Sequence, residues 1–214
     1  MSKEKILVIC AHPDDEIIGA GGTIAKYSQE GRNVTVIIFS YGELSHPWIK
    51  KKVTIGTRVN ESRTAGEIVG CKDTIFLGAK EGHFIDKRKT ITKTIEKVIN
   101  DLKPSKIFVH SFDDRLYADH KAVHEIVMST IDRMDYKGNI YTFNIWNMVN
   151  SQERYCPKLM VDVSKTFKLK TKALGCFKSQ KLAMLQLLPV VYLRAIRNGL
   201  YMGVKFAERF SKIR

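Results

Sequence analysis

Short apolar runs rich in Val and Ile alternate along this chain with longer stretches of helical periodicity, and no other feature restricts the fold so strongly. "KILVIC" (5–10), "NVTVIIF" (33–39), "DTIFLG" (73–78) and "KIFVH" (106–110) read as strands. Segments at about 16–29, 57–69, 89–102 and 120–134 read as helices, with Gly31, Gly70 and Pro104 closing the first three. Strands that are apolar without alternation are buried on both faces, so the sheet must be mostly parallel and lie between helical layers. "NIYTFNI" and "KLMVDV" add later strands, and the chain from Pro189 onward reads as a terminal helix. The predicted architecture is α/β: a Rossmann-like three-layer α/β/α sandwich in one domain over residues 1–214. In such a sheet, ligands lie at the carboxyl ends of the strands, near the point where the strand order reverses.

The first strand-to-helix turn therefore carries most of the information. A dinucleotide-binding chain places Gly-x-Gly-x-x-Gly there; this chain has "AHPDDE", residues 11–16. "GAGG" at 19–22 comes too late, inside the helix, where small residues permit close packing. The turn repels phosphate. Pro13 stiffens it and biases His12 toward extended geometry. His12 and Asp15 can then converge above the sheet edge as a histidine–carboxylate pair of metal ligands, with Asp14 left to face a water. One bland alternative is that Asp14 or Asp15 simply caps the following helix.

A third ligand should come from the end of another central strand, and "HSFDDRLYADHKAVHEIV" (110–127) follows one. His120 is the chosen ligand because it opens the next helix beside the same crevice. His124, one turn further along, is its rival, although a packing role suits it better. His110, at the strand end, reads as a hydrogen-bond partner of the site or as structural. His46 and His83 fall in loops and carry no assigned role.

The totals exclude several classes. The net charge is +14, and from Lys165 onward twelve Lys or Arg face one acid, Glu208. Nevertheless, there is no nucleic-acid motif and no regular interleaving of aromatic and basic residues, so no nucleic-acid partner is expected. Cys10, Cys71, Cys156 and Cys176 are scattered without a Cys-x-x-Cys pair, which fits a reducing compartment and argues against a thiolate metal site. The apolar start is too short for a signal-peptide core, and "LAMLQLLPVVYLRAI" contains Gln186, Pro189 and Arg194, so no transmembrane segment is expected. The expected location is the cytoplasm. The oligomeric state stays open.

"AHPDDE" after the first strand and "ADHKAV" after a later one resemble the LmbE-like or PIG-L family of zinc-dependent N-acetylglucosaminyl deacetylases. "SYGE", "TRVNESRTAGEIVGC", "ALGCFKSQ" and "GVKFAERF" extend the similarity over nearly the whole chain. The resemblance implies that His12, Asp15 and His120 bind Zn2+, that Asp14 is the general base and that Glu16 is an accessory acid. It places Arg58 at a sugar- or aglycone-binding position. Many members have His-x-Asp-His where this chain has "YADH", so Tyr117 stands in for a histidine that helps stabilise the transition state. The implied reaction is hydrolysis of the acetamide of an N-acetylated amino-sugar conjugate. Two other readings stay open: a different amidase or deacylase on the same site, and a basic binding protein with a weakened site.

Overall fold

The computed structural model describes residues 3–114, 118–147 and 155–214. The chain runs β1 (Lys5–Cys10), α1 (Asp15–Gln29), β2 (Asn33–Ile38), α2 (Lys51–Val69), β3 (Asp73–Phe76), α3 (Arg88–Leu102), β4 (Lys106–His110), α4 (Ala118–Arg133), β5 (Asn139–Phe143), β6 (Lys158–Asp162), α5 (Phe167–Leu174), α6 (Lys181–Met202) and β7 (Ala207–Lys212). Short 3₁₀ turns precede α3 and α6. The strands form one sheet in the order β3-β2-β1-β4-β5-β7-β6. Pairing is parallel from β3 through β5, whereas β7 runs antiparallel to both β5 and β6.

β1 shows why the strands read as unbroken apolar runs. Ile6, Val8 and Cys10 pack into one helical layer; Leu7, Ile9 and Ala11 pack into the other. Both faces are dry, so neither set of alternating positions is free to be polar. The three-layer, mostly parallel sandwich is the expected one. Gly19 and Gly22 also behave as expected: a Cβ at either would be pressed against Phe143 or Val163, so the glycines let α1 lie close on the sheet.

Three departures have physical causes. α2 starts six residues before its predicted start, through Lys51 and Lys52 and past Gly56. Cations in a first helical turn oppose the macrodipole and glycine is a poor helix former, so the sequence signal there is weak. α6 begins at Lys181, with Pro189 inside it rather than opening it. Pro189 and Leu185, whose carbonyl it cannot satisfy, both lie on the exposed side, where water can take that acceptor. Finally, "AERFSK" is a strand inserted between β5 and β6. Its Glu208 accepts from the backbone N–H groups of Gly22 (3.0 Å) and Thr23 (2.7 Å) in α1, and Lys170 of α5 bridges Glu208 (2.6 Å) and the Ile18 carbonyl (2.8 Å). This buried pair ties α5 and β7 into the middle of α1.

The chain leaves β1 toward β2 and β3, then returns to lay β4 on the other side of β1. The strand order therefore reverses between the carboxyl ends of β1 and β4. Those ends carry "AHPDDE" and "HSFDD".

Candidate metal centre

The crevice brings the predicted ligands together. Ligand atoms of His12, Asp15 and His120 all lie within 4.8 Å of one another. Asp15 Oδ2 is central: it is 3.4 Å from His12 Nδ1 and 3.4 Å from His120 Nε2, and it accepts the His12 backbone N–H at 2.9 Å. Each imidazole is held from its other nitrogen. His12 Nε2 meets Asp119 Oδ2 at 3.1 Å, and His120 Nδ1 meets Asp114 Oδ2 at 3.0 Å. A carboxylate on the far nitrogen fixes the tautomer and aims the near one, an arrangement typical of metal-ligating histidines. Asp119 is itself fixed by the Gly82 N–H, and Asp114 by the N–H groups of Ile145 (2.9 Å) and Trp146 (3.3 Å). Two imidazoles and one carboxylate, with room for a further ligand, suit a catalytic divalent ion.

The proton affinities show how electron-rich this donor set is. Burial opposes charge on His12, but hydrogen bonds to Asp119 and Asp15 prevail and raise it to about 10. Burial likewise opposes charge on His120, and the Asp15 carboxylate outweighs it, raising His120 to about 9. Burial would raise Asp15, but the neighbouring His120 and His110 hold it well below the usual carboxylate range. The cluster attracts positive charge.

Asp14 lies beside this trio in a different environment. It sits at the N-cap of α1 with φ 114 and ψ −30, and its side chain makes no cap hydrogen bond. The capping alternative therefore fails for Asp14. Its carboxylate instead meets Arg58 Nη2 at 3.1 Å, and the same Nη2 donates to the Pro13 carbonyl. Burial raises Asp14 to about 6 despite the Arg58 charge. Arg58 is buried, and its Nε and Nη1 have no hydrogen-bond partner among the described residues. Glu16 turns inward as a brace: it accepts from the Asp14 N–H (2.9 Å) and the Ser62 hydroxyl (2.8 Å), and burial pushes it up to about 8.

A cavity of about 290 Å³ opens over these groups, lined by His12, Asp14, Asp15, Arg58 and His120 together with Leu44, Glu81, Trp146 and Leu187. His110 does not line it. The His110 ring stacks on His120 at 4.0 Å and its Nε2 accepts the Ala11 N–H, so it is a buried support of the site. His124 points elsewhere, its Nδ1 2.8 Å from the His110 carbonyl. His83 pairs with Asp86 and His46 packs on Trp48, both in loops. Tyr117 lies outside the described residues. Asp114, Asp119 and Glu81 were not singled out by the sequence. For the two aspartates, the only signal was the density of acids around His120.

Comparison with known proteins places the chain in a family. Residues 7–131 match the family described as PIG-L: GlcNAc-PI de-N-acetylase. A Bacillus cereus protein named probable N-acetyl-alpha-D-glucosaminyl L-malate deacetylase 2 is 27% identical over 189 residues, covering 85% of this chain and 86% of that protein. A second curated relative is matched over only 54% of its own length. Among solved structures, an N,N'-diacetylchitobiose deacetylase from Pyrococcus horikoshii superposes with a TM-score of 0.82 at 22% identity, covering 98% of this chain and 84% of that one. The Pseudomonas putida 4-carboxy-2-hydroxymuconate hydratase GalB superposes as well, with a TM-score of 0.81 at 19% identity and coverage of 99% and 96%. At these identities the structures speak for the fold alone, and the fold hosts more than one reaction.

Proposed function

The chain belongs to the PIG-L family, and from that premise we propose that it is a zinc-dependent hydrolase that removes the acetyl group from an N-acetylglucosamine-type conjugate. The observation that carries this reading is the meeting of His12, Asp15 and His120 around one point, with Asp14 beside them in the same cavity. These three residues would hold the metal. A bound zinc ion supplies Lewis acidity, making water a nucleophile near neutral pH and stabilising negative charge on a polarised carbonyl.

The chain's own groups account for the rest. Asp14, raised to about 6, is poised to accept a proton from water as it attacks the acetamide carbon. Asp14 then returns that proton to the nitrogen as the C–N bond breaks, releasing acetate and a free amine. Arg58 keeps the Asp14 carboxylate in place through Nη2, while Nε and Nη1 offer donors to the sugar or to its aglycone. Tyr117 is assigned as the hydrogen-bond donor to the oxyanion. The four free cysteines suit the cytoplasm as the site of action.

The deciding experiment combines metal analysis with an acetate-release screen over N-acetylglucosamine conjugates and other amides, with and without chelator. Asp14→Asn is the informative variant because asparagine tolerates the positive φ that Asp14 adopts. It should keep its metal and lose about 10²- to 10⁴-fold in turnover. Near-normal turnover would remove Asp14 from the base role. Release from other amides but not from amino sugars would leave the chemistry and replace the substrate.

A further inference from the structure

α6 is apolar on both sides. Met184, Leu187, Val191 and Ala195 pack into the core, as a terminal helix should. The opposite side carries Leu182, Leu185, Leu193, Ile196 and Leu200 at helical spacing, and all five are exposed, Leu182 at 76% and Leu200 at 77%. A helix that is hydrophobic all round is normally covered, and a continuous exposed stripe of this kind marks a contact surface. A second exposed apolar group lies on the loop after β2 and the start of α2: Leu44, Trp48 (79%), Ile49 and Val53. Only the N-terminal end of α6 meets this second group at one opening: Leu44 lines the cavity over the candidate metal centre together with Gln180, Ala183 and the inward-facing Leu187, and none of the five stripe residues lines it.

Charge identifies what covers this surface. Trp48 and Ile49 run directly into Lys50, Lys51 and Lys52, all exposed. Lys178, Lys181 and Lys205 flank the α6 stripe, and between Asp162 and Glu208 the sequence contains no acid. Glu208 itself is buried against Lys170. A second copy laid along the stripe would bring the same cations face to face with no carboxylate on α6 to meet them. An anionic lipid surface neutralises them and accepts the leucines. An exposed tryptophan followed by lysines is the composition of a membrane–water interface, the ring at headgroup depth and the ammonium groups among phosphates. No helix among the described residues is long and apolar enough to cross a bilayer, so contact is from one side.

We infer that the protein docks on anionic membrane through the outer face of α6 and the Trp48–Lys52 segment. The test uses the full chain and two kinds of vesicle, phosphatidylcholine alone and phosphatidylcholine mixed with phosphatidylglycerol, read by co-sedimentation and tryptophan emission. Binding should appear with phosphatidylglycerol only, weaken as salt rises, and shift emission to the blue in the wild type but not in Trp48→Phe. The triple variant Leu185→Gln, Leu193→Gln, Leu200→Gln should lose about tenfold or more in vesicle binding while its metal content and melting temperature stay unchanged. Lys178→Glu with Lys181→Glu, which leaves the leucines and Lys50, Lys51 and Lys52 in place, should weaken binding and flatten its salt dependence. Absence of binding to phosphatidylglycerol vesicles at low salt overturns the inference. So does a wild-type dimer that the leucine variant converts to monomer without any vesicle binding, because a second copy then covers the face.

Discussion

Asp114→Asn tests whether the metal centre depends on the carboxylate behind His120. Asp114 uses both oxygens: Oδ2 faces His120 Nδ1 and the Ile145 N–H, and Oδ1 accepts the Trp146 N–H. An asparagine of the same shape has one oxygen to give. If that oxygen stays toward His120, the amide NH₂ confronts the Trp146 N–H, and a buried backbone donor is left unmet at a cost of about 1–3 kcal/mol. If the amide turns over, NH₂ faces His120 Nδ1 and forces its proton onto Nε2, the nitrogen aimed at Asp15. Metal must then displace that proton. Loss of a carboxylate of this kind typically costs about 10- to 100-fold in metal affinity, or roughly 1.4–2.7 kcal/mol. The assay is competition for zinc against a chromophoric chelator, run beside a thermal melt of the metal-free protein. The first amide orientation shows mainly as a lower melting temperature; the second lowers the melting temperature as well, because its NH₂ also confronts the Ile145 N–H, and adds weaker zinc binding. Zinc affinity and melting temperature both within error of the wild type would refute the reasoning.

His120→Ala should abolish stoichiometric metal binding, whereas His124→Ala should leave it unchanged because His124 Nδ1 faces the His110 carbonyl; metal analysis of purified protein separates the two. Glu208→Leu leaves the Lys170 ammonium and the Gly22 and Thr23 N–H groups without their acceptor, and breaking a buried pair from one side costs about 3–5 kcal/mol. At about 2–4 °C per kcal/mol for a chain of this size, the melting temperature should fall by roughly 10 °C. Adding Lys170→Met should recover much of that loss, and a double variant no better than the single one would show that the backbone donors carry the cost. Arg58→Lys keeps the charge but cannot hold the Asp14 carboxylate and the Pro13 carbonyl from one guanidinium nitrogen. Turnover should drop about 10- to 100-fold with metal content intact, as read by paired kinetics and metal analysis.

The parts of this protein legible in its sequence are those set by local chemistry. Apolar runs buried on both faces gave the parallel strands, and the switch point then placed His12, Asp15 and His120 in one crevice. What escaped depends on contacts between distant segments. Asp119 supports His12 from 107 positions away, and nothing in the spacing of either residue announces the other. Glu208 seemed to belong to a basic terminal segment, yet its carboxylate enters the middle of α1. β7 was missed because its polar Glu208 and Ser211 are buried and bonded to neighbours, so alternation gave no signal. Arg58 was placed toward substrate, and the structure adds a contact to Asp14 that a substrate role alone would not call for.

Adjacent carboxylates of one turn are thus separated by their surroundings. Asp15 starts the regular part of α1, where its Oδ2 accepts the His12 N–H and faces the imidazoles of His12, His110 and His120. Asp14, one residue earlier, adopts φ 114, a conformation that a non-glycine residue pays for, by about 1–3 kcal/mol. That backbone turns its carboxylate toward Arg58 and away from the imidazoles. Glu16 fixes the choice from below by accepting the Asp14 N–H, and Ser62 of α2 holds Glu16. The outcome is one carboxylate well below its usual range and another raised to about 6. Titratable neighbours pushed apart in this way divide the work of a site: one remains an anion for a cation, the other exchanges a proton near neutrality. The strain at Asp14 is not offset by a helix cap, and the contact its side chain gains is the one to Arg58. It is accounted for if the acid must stand beside the metal centre without joining it.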